Sequence, residues 1–354
     1  MTTCDVSVVI VTWNVRTALA RCLAALPAAW DGGGEWVSLH WELIVVDNAS
    51  TDGTAAVVQQ EARALLATKP GRPPRQVRLL VNAGNRLYTA AANQGLDAAQ
   101  GRYRLVLNPD TWPAPGSLAR LVALAEAHPR IGLVGPRIMT AEGRDDLRTG
   151  RHYPTPWSEF CDWLGLMRRF PRSRVWAANL RPDFPRTRTG PVPVLSGACL
   201  LFSASLPSDL QRFDPDYPMY GEDLDLCRRV QAAGYETWLA AEAVIEHIGG
   251  LSSRQARVHS ALLAADGVNR YFRRWHGVRA AQRHRLGMAV VAAIKWPVFS
   301  LLGWFGLEKQ PHLQRRLHAG LWRWAWSGRL ERAAMTETSA AAVHDMVFSF
   351  SPFL

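Results

Sequence analysis

The chain has 354 residues, of which 48% are apolar and 20% are charged. This composition is typical of a folded protein with one large domain or two modest ones, and it excludes a disordered chain. The net charge of +11 points first to nucleic acid or an anionic membrane. However, residues 251–354 carry 15 Lys and Arg against 5 acidic residues, together with six of the 15 Trp. The basic excess therefore belongs to the C-terminal third, and residues 1–250 are almost neutral.

The cysteines and the N-terminus indicate a cytoplasmic protein. The five Cys are scattered through apolar segments with no C-x-x-C pair, which favours reduced, buried thiols over disulfides or a zinc site. The first residues lack the basic segment and the small-residue cleavage site of a signal peptide. They predict a first β-strand instead.

The first 135 residues alternate β-branched apolar runs with segments of helical spacing. The predicted strands are 5–11, 41–47, 77–81, 103–107 and 131–135. The predicted helices between them are 16–26, 53–67, 88–99 and 115–127. This order predicts an α/β protein with a mostly parallel, Rossmann-like sheet and right-handed crossovers. No G-x-G-x-x-G or G-x-x-x-x-G-K-[ST] motif is present, which weighs against dinucleotide-binding and P-loop proteins.

The alternation stops after about residue 140. Residues 141–192 are rich in Arg, Pro and Trp, and a long irregular stretch in a compact domain is typical of a substrate loop. The later patterns predict a strand at 194–202, a helix at 222–233, a strand near 236–245 and helices over 255–335. Residues 336–354 give no clear prediction.

Polar residues follow three of the predicted strands, namely Thr12, Asn14, Asp47, Asn108 and Asp110. Ligands of an open parallel sheet bind outside the carboxyl ends of its strands, so these residues are expected to share one cleft. The Asp47 carboxylate would accept a hydrogen bond from a pyrimidine imide N–H, whereas Ser50 and Asp52 are equally well explained as helix caps. Asp110 would bind Mg²⁺ or Mn²⁺ with diphosphate and water oxygens, although Asn-Pro-Asp is also typical of a simple turn.

A second group of candidates lies in the later half of the chain. Three acidic residues begin the helix predicted at 222–233, namely Glu222, Asp223 and Asp225. They either pair with the helix dipole, or one of them has a raised pKa and accepts a proton. His247 follows a predicted strand and precedes two glycines, a position open to a metal, although a lone His is more often structural.

These segments, in this order, resemble glycosyltransferase family 2, and more closely its bacterial rhamnosyltransferase branch. They run from about Val6 to Ser253 and read SVVIVTWN, VDNASTDGT, NRLYTAAANQG, LVLNPDTWPAPGSL, GPRI, LSGACLLF, YPMYGEDLDLCRRVQAAGY and EHIGGLSS. The resemblance implies a GT-A fold, a nucleotide-sugar donor, Mg²⁺ or Mn²⁺ as cofactor, and inversion at the anomeric carbon.

The resemblance also implies a role for each matching residue. The donor nucleotide would be bound by Thr12, Asn14, Asp47, Asn85, Asn93 and Asn108. Asp110 closes a variant D-x-D motif and would hold the metal, and His247 would complete the metal site or touch the diphosphate. Asp223 would be the catalytic base, with Glu222 beside it.

Two positions depart from the family pattern. Leu87 stands where the family motif N-x-G-F has glycine, which changes the expected shape of the donor pocket. Asn108 replaces the first carboxylate of the D-x-D motif. This replacement lowers the ligand charge and is expected to weaken metal binding.

The basic C-terminal third contains an apolar run at 286–307 that Lys295 and Pro297 interrupt. Its length permits a membrane span, but basic flanks and Trp residues favour helices that lie on an anionic membrane surface. Packing against the catalytic domain or a second subunit is the third alternative. The predicted divisions are a GT-A domain at 1–254 with its acceptor side at 141–192, a helical extension at 255–335, and a tail at 336–354.

The sequence thus predicts a cytoplasmic inverting glycosyltransferase that is peripherally bound to the inner face of the plasma membrane. It would transfer a sugar, with rhamnose favoured, from a dTDP- or UDP-sugar to a glycan or polyprenyl-linked glycan in cell-wall or surface polysaccharide synthesis. The alternatives are a nucleotidyltransferase on a similar fold and a catalytically silent, membrane-associated binding protein. Nucleic acid is not an expected partner, because the basic region is interleaved with apolar residues. The oligomeric state stays open.

Overall fold

The computed structural model describes residues 4–31, 39–67, 74, 76–181, 183–306, 310–330 and 344–349. The strands are β1 (Val6–Thr12), β2 (Trp41–Asp47), β3 (Gln76–Val81), β4 (Tyr103–Leu107), β5 (Thr111–Pro113), β6 (Ile131–Met139), β7 (Gly190–Pro191), β8 (Cys199–Phe202), β9 (Glu236–His247) and β10 (His344–Ser349). The helices are α1 (Arg16–Ala29), α2 (Thr54–Ala67), α3 (Leu87–Ala98), α4 (Ser117–Ala127), α5 (Pro156–Leu164), α6 (Leu166–Arg169), α7 (Glu222–Ala232), α8 (Leu251–Gln255), α9 (Arg257–Trp304) and α10 (Pro311–Ser327).

The strands form one mixed sheet in the order β10-β3-β2-β1-β4-β8-β6-β9-β5, and β7 pairs with β9. Strands β3, β2, β1 and β4 are parallel to one another, as the alternating pattern predicts. Beyond β4 the sheet changes, because β8 runs antiparallel between β4 and β6. The α/β prediction is confirmed, and the parallel part is confined to β1–β4 and the β6–β9 pair.

Helices cover both faces of the sheet and explain the uninterrupted apolar runs of its central strands. Val8 and Ile10 of β1 pack with residues of α1, α2 and α4 on one face. Val9 and Val11 pack with α3 and α7 on the other. Because successive side chains of a strand point to opposite faces, a strand covered on both faces must be apolar throughout.

The segment between β6 and β8 is more structured than the irregular loop that the sequence predicts. It contains α5, in which Thr155 and Ser158 form a reciprocal capping box and Pro156 takes the first turn. Of the strand predicted at 194–202, only β8 is regular. Val194 instead makes an isolated bridge to Arg151.

The predicted C-terminal helices are α9 and α10, and together with the unpredicted α8 they form what we call the helical extension (residues 251–327). Gly277, with φ +80°, breaks α9 into two helical segments that the sequence pattern does not separate. Residues 331–335 and most of the predicted tail lie outside the described residues. The exception is β10, an unpredicted strand that pairs antiparallel with β3 at the edge of the sheet. The domain division at residue 254 stays a prediction.

The cysteines agree with the predicted reduced thiols. Cys22, Cys161, Cys199 and Cys227 are buried and Cys4 is half-buried, and all five are free. Burial raises the pKa of the Cys22 thiol to about 12, so this side chain stays protonated and behaves as part of the core.

Candidate active site

The ends of β1 and β2 place Thr12 and Asp47 side by side, because the two residues are paired in the register of these strands. Both are about 1% exposed. The Ser50 N–H donates to Asp47 Oδ2 at 3.3 Å, while Asp47 Oδ1 and Thr12 Oγ1 have no hydrogen-bond partner. Burial raises the pKa of Asp47 above its usual value, although the hydrogen bonds from Ser50 oppose this effect. A buried polar atom without a partner is costly, so these two oxygens are ready to bind a ligand.

The loop after β1 is held by the loop after β2. The Asn14 N–H donates to Ser50 Oγ at 2.8 Å, and Asn14 Oδ1 accepts from the Thr51 N–H at 2.7 Å. Asp52 accepts from the first backbone N–H of α1, on Arg16, and from the first of α2, on Thr54. The capping alternative therefore accounts for Asp52, whereas Asn14 and Ser50 shape the loop beside Asp47.

Asn48 organises the next part of the same edge, and the sequence reasoning did not single it out. Its Nδ2 donates to Asn85 Oδ1 at 2.9 Å and to the Leu87 carbonyl at 3.2 Å. Its Oδ1 accepts from the Arg86 N–H at 3.0 Å. The signal that could have found it is its position directly after Asp47 at a strand end.

Leu87 adopts a left-handed backbone with φ +62°. This conformation is open to glycine but strained for a bulky side chain. The family glycine at this position thus has a physical explanation. Asn85 stabilises the turn, because its Oδ1 accepts from the Leu87 N–H at 2.9 Å.

Two of the predicted donor-binding residues, Asn93 and Asn108, make hydrogen bonds to the protein backbone. The buried Asn93 side chain makes two hydrogen bonds of 2.9 Å to the backbone of Phe213. Its Nδ2 donates to the carbonyl, and its Oδ1 accepts from the N–H. Asn93 therefore ties α3 to the segment before α7, and its contact with a nucleotide stays a prediction. Asn108 is half-buried, and its backbone N–H donates to the Ala198 carbonyl at 2.9 Å.

Asp110 and His247, the two predicted metal ligands, are in contact and are called the metal pair below. The short strand β5 pairs with the end of β9, with Thr111 opposite His247, and this brings Asp110 Oδ1 within 3.2 Å of His247 Nε2. Burial alone would raise the pKa of Asp110, but the His247 ring and backbone N–H groups outweigh it and hold that pKa below its usual value.

The residues present fit a divalent cation. His247 Nε2 is buried and makes no aligned hydrogen bond. Two ligands about 2.1 Å from one cation and at right angles to each other lie about 3 Å apart, which matches the observed separation. No group of three or more His, Cys, Asp or Glu is found among the described residues, so a cation here would need oxygens from a diphosphate and water.

The acid pair, Glu222 and Asp223, lies at the start of α7, directly after the left-handed Gly221. Burial, and then the neighbouring Asp223, raises the pKa of Glu222 to about 8, and its Oε2 has no hydrogen-bond partner. Asp223 accepts from the Leu224 N–H at 2.8 Å and from the Gly197 N–H at 3.4 Å. A Cβ on Gly197 would come within 3.9 Å of both carboxylates, so the glycine leaves space in front of them.

Asp225 is different from the acid pair. It is fully buried and accepts from Arg229 Nε at 2.7 Å and from Trp275 Nε1 at 2.9 Å. The bond from Arg229 lies within α7 and the bond from Trp275 attaches α7 to α9, so the third carboxylate of the acidic segment is structural.

Two sets of hydrogen bonds link the separate parts into one region at the carboxyl ends of the strands, which we call the cleft. Gly197 bonds Asp223, and the adjacent Ala198 bonds Asn108, so the acid pair adjoins the metal pair. Helix α8 joins the rest, because Ser253 Oγ lies 2.6 Å from Tyr220 Oη and Gln255 Nε2 donates to the Asn14 carbonyl at 2.7 Å. The sequence reasoning missed α8, which has five residues.

The helical extension packs against the two residues before the acid pair through two glycines. A Cβ on Gly267 would lie 2.1 Å from the Tyr220 carbonyl oxygen, and a Cβ on Gly221 would lie 2.9 Å from the Gly267 carbonyl oxygen. The backbone of α9 therefore packs directly against the two residues that precede Glu222. Only glycine permits so close an approach.

Comparison with known proteins identifies the family. The model of glycosyl transferase family 2 matches residues 7–208, more than half of the chain. The chain belongs to glycosyltransferase family 2. Within the family it resembles the rhamnosyltransferases. The two alternatives, a nucleotidyltransferase and a catalytically silent binding protein, are not supported.

Relatives of this glycosyltransferase agree with that assignment. The N-acetylglucosaminyl-diphospho-decaprenol L-rhamnosyltransferase of two Mycobacterium tuberculosis strains is 29% identical over 275 residues, which cover 72% of this chain and 80% of that protein. A putative glycosyltransferase of Bacillus subtilis is 32% identical over 96 residues, which cover 27% of this chain and 32% of that protein.

A solved structure supports the fold. The mannosyltransferase of Pyrobaculum calidifontis, determined with GDP-mannose and Mn²⁺, has a TM-score of 0.50 and 18% sequence identity to this chain. The alignment covers 92% of this chain and 87% of that one. The expected GT-A-type fold is confirmed.

Proposed function

We propose that this glycosyltransferase transfers rhamnose from dTDP-rhamnose to the N-acetylglucosamine of a polyprenyl-diphosphate-linked acceptor, with inversion, in cell-wall polysaccharide synthesis. The mycobacterial relative, an N-acetylglucosaminyl-diphospho-decaprenol L-rhamnosyltransferase, supports the sugar and the acceptor. The observation that carries the reaction class is the convergence of the metal pair, the acid pair and Asp47 on one cleft. The Asp47 oxygen that lacks a hydrogen-bond partner suits a thymine or uracil imide N–H, so a UDP-sugar is the second candidate donor.

Asp110 and His247 would hold Mg²⁺ or Mn²⁺ on the donor diphosphate. When bound, the metal stabilises the negative charge that grows on the leaving diphosphate. The nucleoside base would lie at Asp47, with the ribose near Thr12 and Asn14. The loop organised by Asn48 and Asn85 would fix the wall of this pocket.

Asp223 is the proposed base. The raised pKa of Glu222 keeps that side chain largely protonated at pH 7, so Glu222 is the poorer candidate for the base. Asp223 would remove the proton of the acceptor hydroxyl. At the same time the hydroxyl oxygen would attack the anomeric carbon of the donor sugar, and the bond from this carbon to the diphosphate would break. A single displacement of this kind needs one protein carboxylate, and it inverts the anomeric carbon without a covalent intermediate.

We also propose that the helical extension rests on the cytosolic membrane surface. Its second half exposes large apolar side chains, among them Trp296, Leu301, Trp304 and Phe305, which are 48–86% exposed. Helix α9 is long and apolar enough to cross a membrane, by length and composition alone. Lys295, Pro297 and the packing of Gly267 against Tyr220 and Gly221 favour a surface position. A second subunit is the other surface that would cover these side chains.

Nucleotide binding tests the proposal directly. Thermal shift measurements with dTDP, UDP and GDP, each with Mn²⁺, should show the largest stabilisation for dTDP or UDP, and Asp47→Ala should remove it. Asp52→Asn is the matched control, because this carboxylate caps helices and should change stability without changing nucleotide choice. A shift that is equal for all three nucleotides would contradict the assigned role of Asp47.

A further inference from the structure

A groove of about 1130 Å³ separates the first turns of α9 from α10. Four arginines line it, namely Arg257, Arg316, Arg323 and Arg329, and no Asp or Glu is among its described lining residues. The rest of the lining is largely apolar and includes Leu313 and Trp326. The groove lies outside the cleft described above.

This combination of side chains matches one kind of ligand. Guanidinium groups bind phosphate oxygens through paired N–H donors, and leucine and tryptophan surfaces bury hydrocarbon. A phosphate group attached to a hydrocarbon chain satisfies both halves of the lining. A polar polyanion such as RNA would leave the apolar half of the lining unsatisfied.

We propose that this groove binds an anionic membrane phospholipid, with the phosphate on the arginines and an acyl chain along the apolar lining. The outer wall of the groove supports a membrane source. Trp322 and Trp326 are 44% and 61% exposed and pack edge to face with ring centroids 5.6 Å apart. Exposed Trp beside cationic side chains is typical of helices at the headgroup level.

The polyprenyl-linked acceptor also combines phosphate groups with a hydrocarbon chain, so its chemistry is similar to that of a phospholipid. The position of the groove distinguishes the two ligands. With about 100° between successive helical residues, Val258 and Leu262 in the groove lie on the opposite face of α9 from Ser260 and Gly267. Gly267 contacts Tyr220, next to the acid pair. The width of a helix, about 10 Å, thus separates the groove from the acids that the acceptor sugar must reach.

The end of the groove next to the start of α9 also indicates that the lipid and the acceptor bind at different places. It reaches Gln255, which bonds the Asn14 loop on the side assigned to the donor nucleotide. A lipid in the groove would therefore hold the enzyme at the membrane without occupying the acceptor site. This inference rests on the proposed function only in placing the enzyme at a membrane.

Vesicle binding by the full-length protein tests the proposal. Wild type should float with phosphatidylcholine vesicles that contain phosphatidylglycerol and should bind pure phosphatidylcholine vesicles at least tenfold more weakly. The double variant Arg316→Gln and Arg329→Gln should bind the anionic vesicles about tenfold more weakly than wild type. Both residues are exposed, so the fold should tolerate the change, and thermal melting checks this.

The matched control is Arg279→Gln with Arg283→Gln. These arginines are exposed on α9, outside the groove, and their replacement removes the same two charges. The control should bind anionic vesicles within about threefold of wild type. Equal losses in the two double variants would overturn the groove site and leave only a general charge effect.

A second arm distinguishes the lipid from the acceptor. Without vesicles, turnover of a short-chain, water-soluble diphosphate-linked N-acetylglucosamine should be the same for the groove variant and wild type. A selective loss in the groove variant would overturn the proposal, because the groove would then serve the acceptor. Vesicle binding needs no nucleotide sugar, so failure of the proposed function would appear as absent turnover with intact lipid binding.

Discussion

The cleft and the helical extension differ in the kind of side chain on which their proposed functions depend. The cleft belongs to the almost neutral part of the chain, and its polar side chains lie at strand ends and at the start of α7, with buried atoms that lack partners on Thr12, Asp47, Glu222 and His247. The extension is distinguished by what it exposes, namely arginines and large apolar side chains. The basic excess thus marks the exposed surface of the extension, whereas the proposed chemistry depends on buried polar groups at the ends of the strands and at the start of α7.

The two regions are nevertheless connected. Two of the six C-terminal Trp serve packing, because Trp275 bonds Asp225 of α7 and Trp324 bonds Asp266 within the extension. Trp296, Trp304, Trp322 and Trp326 are the exposed ones. The extension therefore has an inner face that supports the acid pair and an outer face available to a membrane.

The largest effect is expected in the cleft, from Asp223→Asn. This change removes the proposed base and keeps the shape of the side chain, so kcat should fall by about 10²-fold or more while dTDP binding is unchanged. Steady-state kinetics and thermal shift measure the two quantities. Near-normal turnover would remove Asp223 from the mechanism.

Loss of the metal pair should be almost as severe. Asp110→Ala removes the carboxylate next to His247, and we expect turnover to fall by about 10²-fold. The Mn²⁺ concentration needed to stabilise the dTDP complex should rise as well, which a Mn²⁺ titration measures. An unchanged Mn²⁺ requirement would place the metal elsewhere.

A smaller effect is expected where the two regions meet. In Gly267→Ala the new Cβ would clash with the Tyr220 carbonyl and push α9 away from the acid pair, so kcat should fall about tenfold with little change in the donor KM. Gly287→Ala is the control on the same helix, because its Cβ would lie 3.6 Å from Phe160, an ordinary contact. Equal activity of the two variants would mean that the extension does not position the acids.

The pH dependence of stability tests the state of Glu222. Its pKa is raised in the folded protein, so its contribution to stability is present below the unfolded value and is lost as pH rises through about 8. Glu222→Gln cannot ionise, and between pH 6 and pH 9 it should lose less stability than wild type, by about 1 kcal/mol or more. Parallel melting curves for the two proteins would show that Glu222 is already ionised.

The smallest effect is expected at the turn before α3. Leu87→Gly should stay within about 1 kcal/mol of wild-type stability, because glycine tolerates the positive φ and offsets the lost apolar contact. Leu87→Val should be the less stable variant by about 1 kcal/mol, since branched side chains fit this backbone worst. Denaturant unfolding of both variants measures the difference, and the reverse order would exclude the strained conformation.

Local sequence patterns were sufficient for the parallel half of the fold. The apolar runs of β1 and β2 and the helical spacing of α1 depend on neighbouring residues, and the polar residues at the strand ends marked the cleft. The pairing of Asp110 with His247 was expected from the family resemblance, because the two residues are far apart in the chain.

The other parts of the fold and of the site depend on contacts between residues that are far apart in the chain, which local sequence patterns cannot predict. Strand β5 has three residues and exists only because β9 pairs with it. The antiparallel direction of β8 is set by β4 and β6 on either side of it. The structural role of Asp225 becomes visible only when Trp275, fifty positions later, reaches it.

The central claim is sugar transfer, and it is tested by incubating the full-length enzyme with dTDP-rhamnose, Mn²⁺ and a polyprenyl-diphosphate-linked N-acetylglucosamine. The reaction should yield a rhamnosylated lipid of inverted anomeric configuration, visible by mass spectrometry and NMR, and Asp223→Asn should yield almost none. Absence of transfer from dTDP-rhamnose and from every UDP-sugar offered, by a folded protein that binds Mn²⁺, would contradict the account.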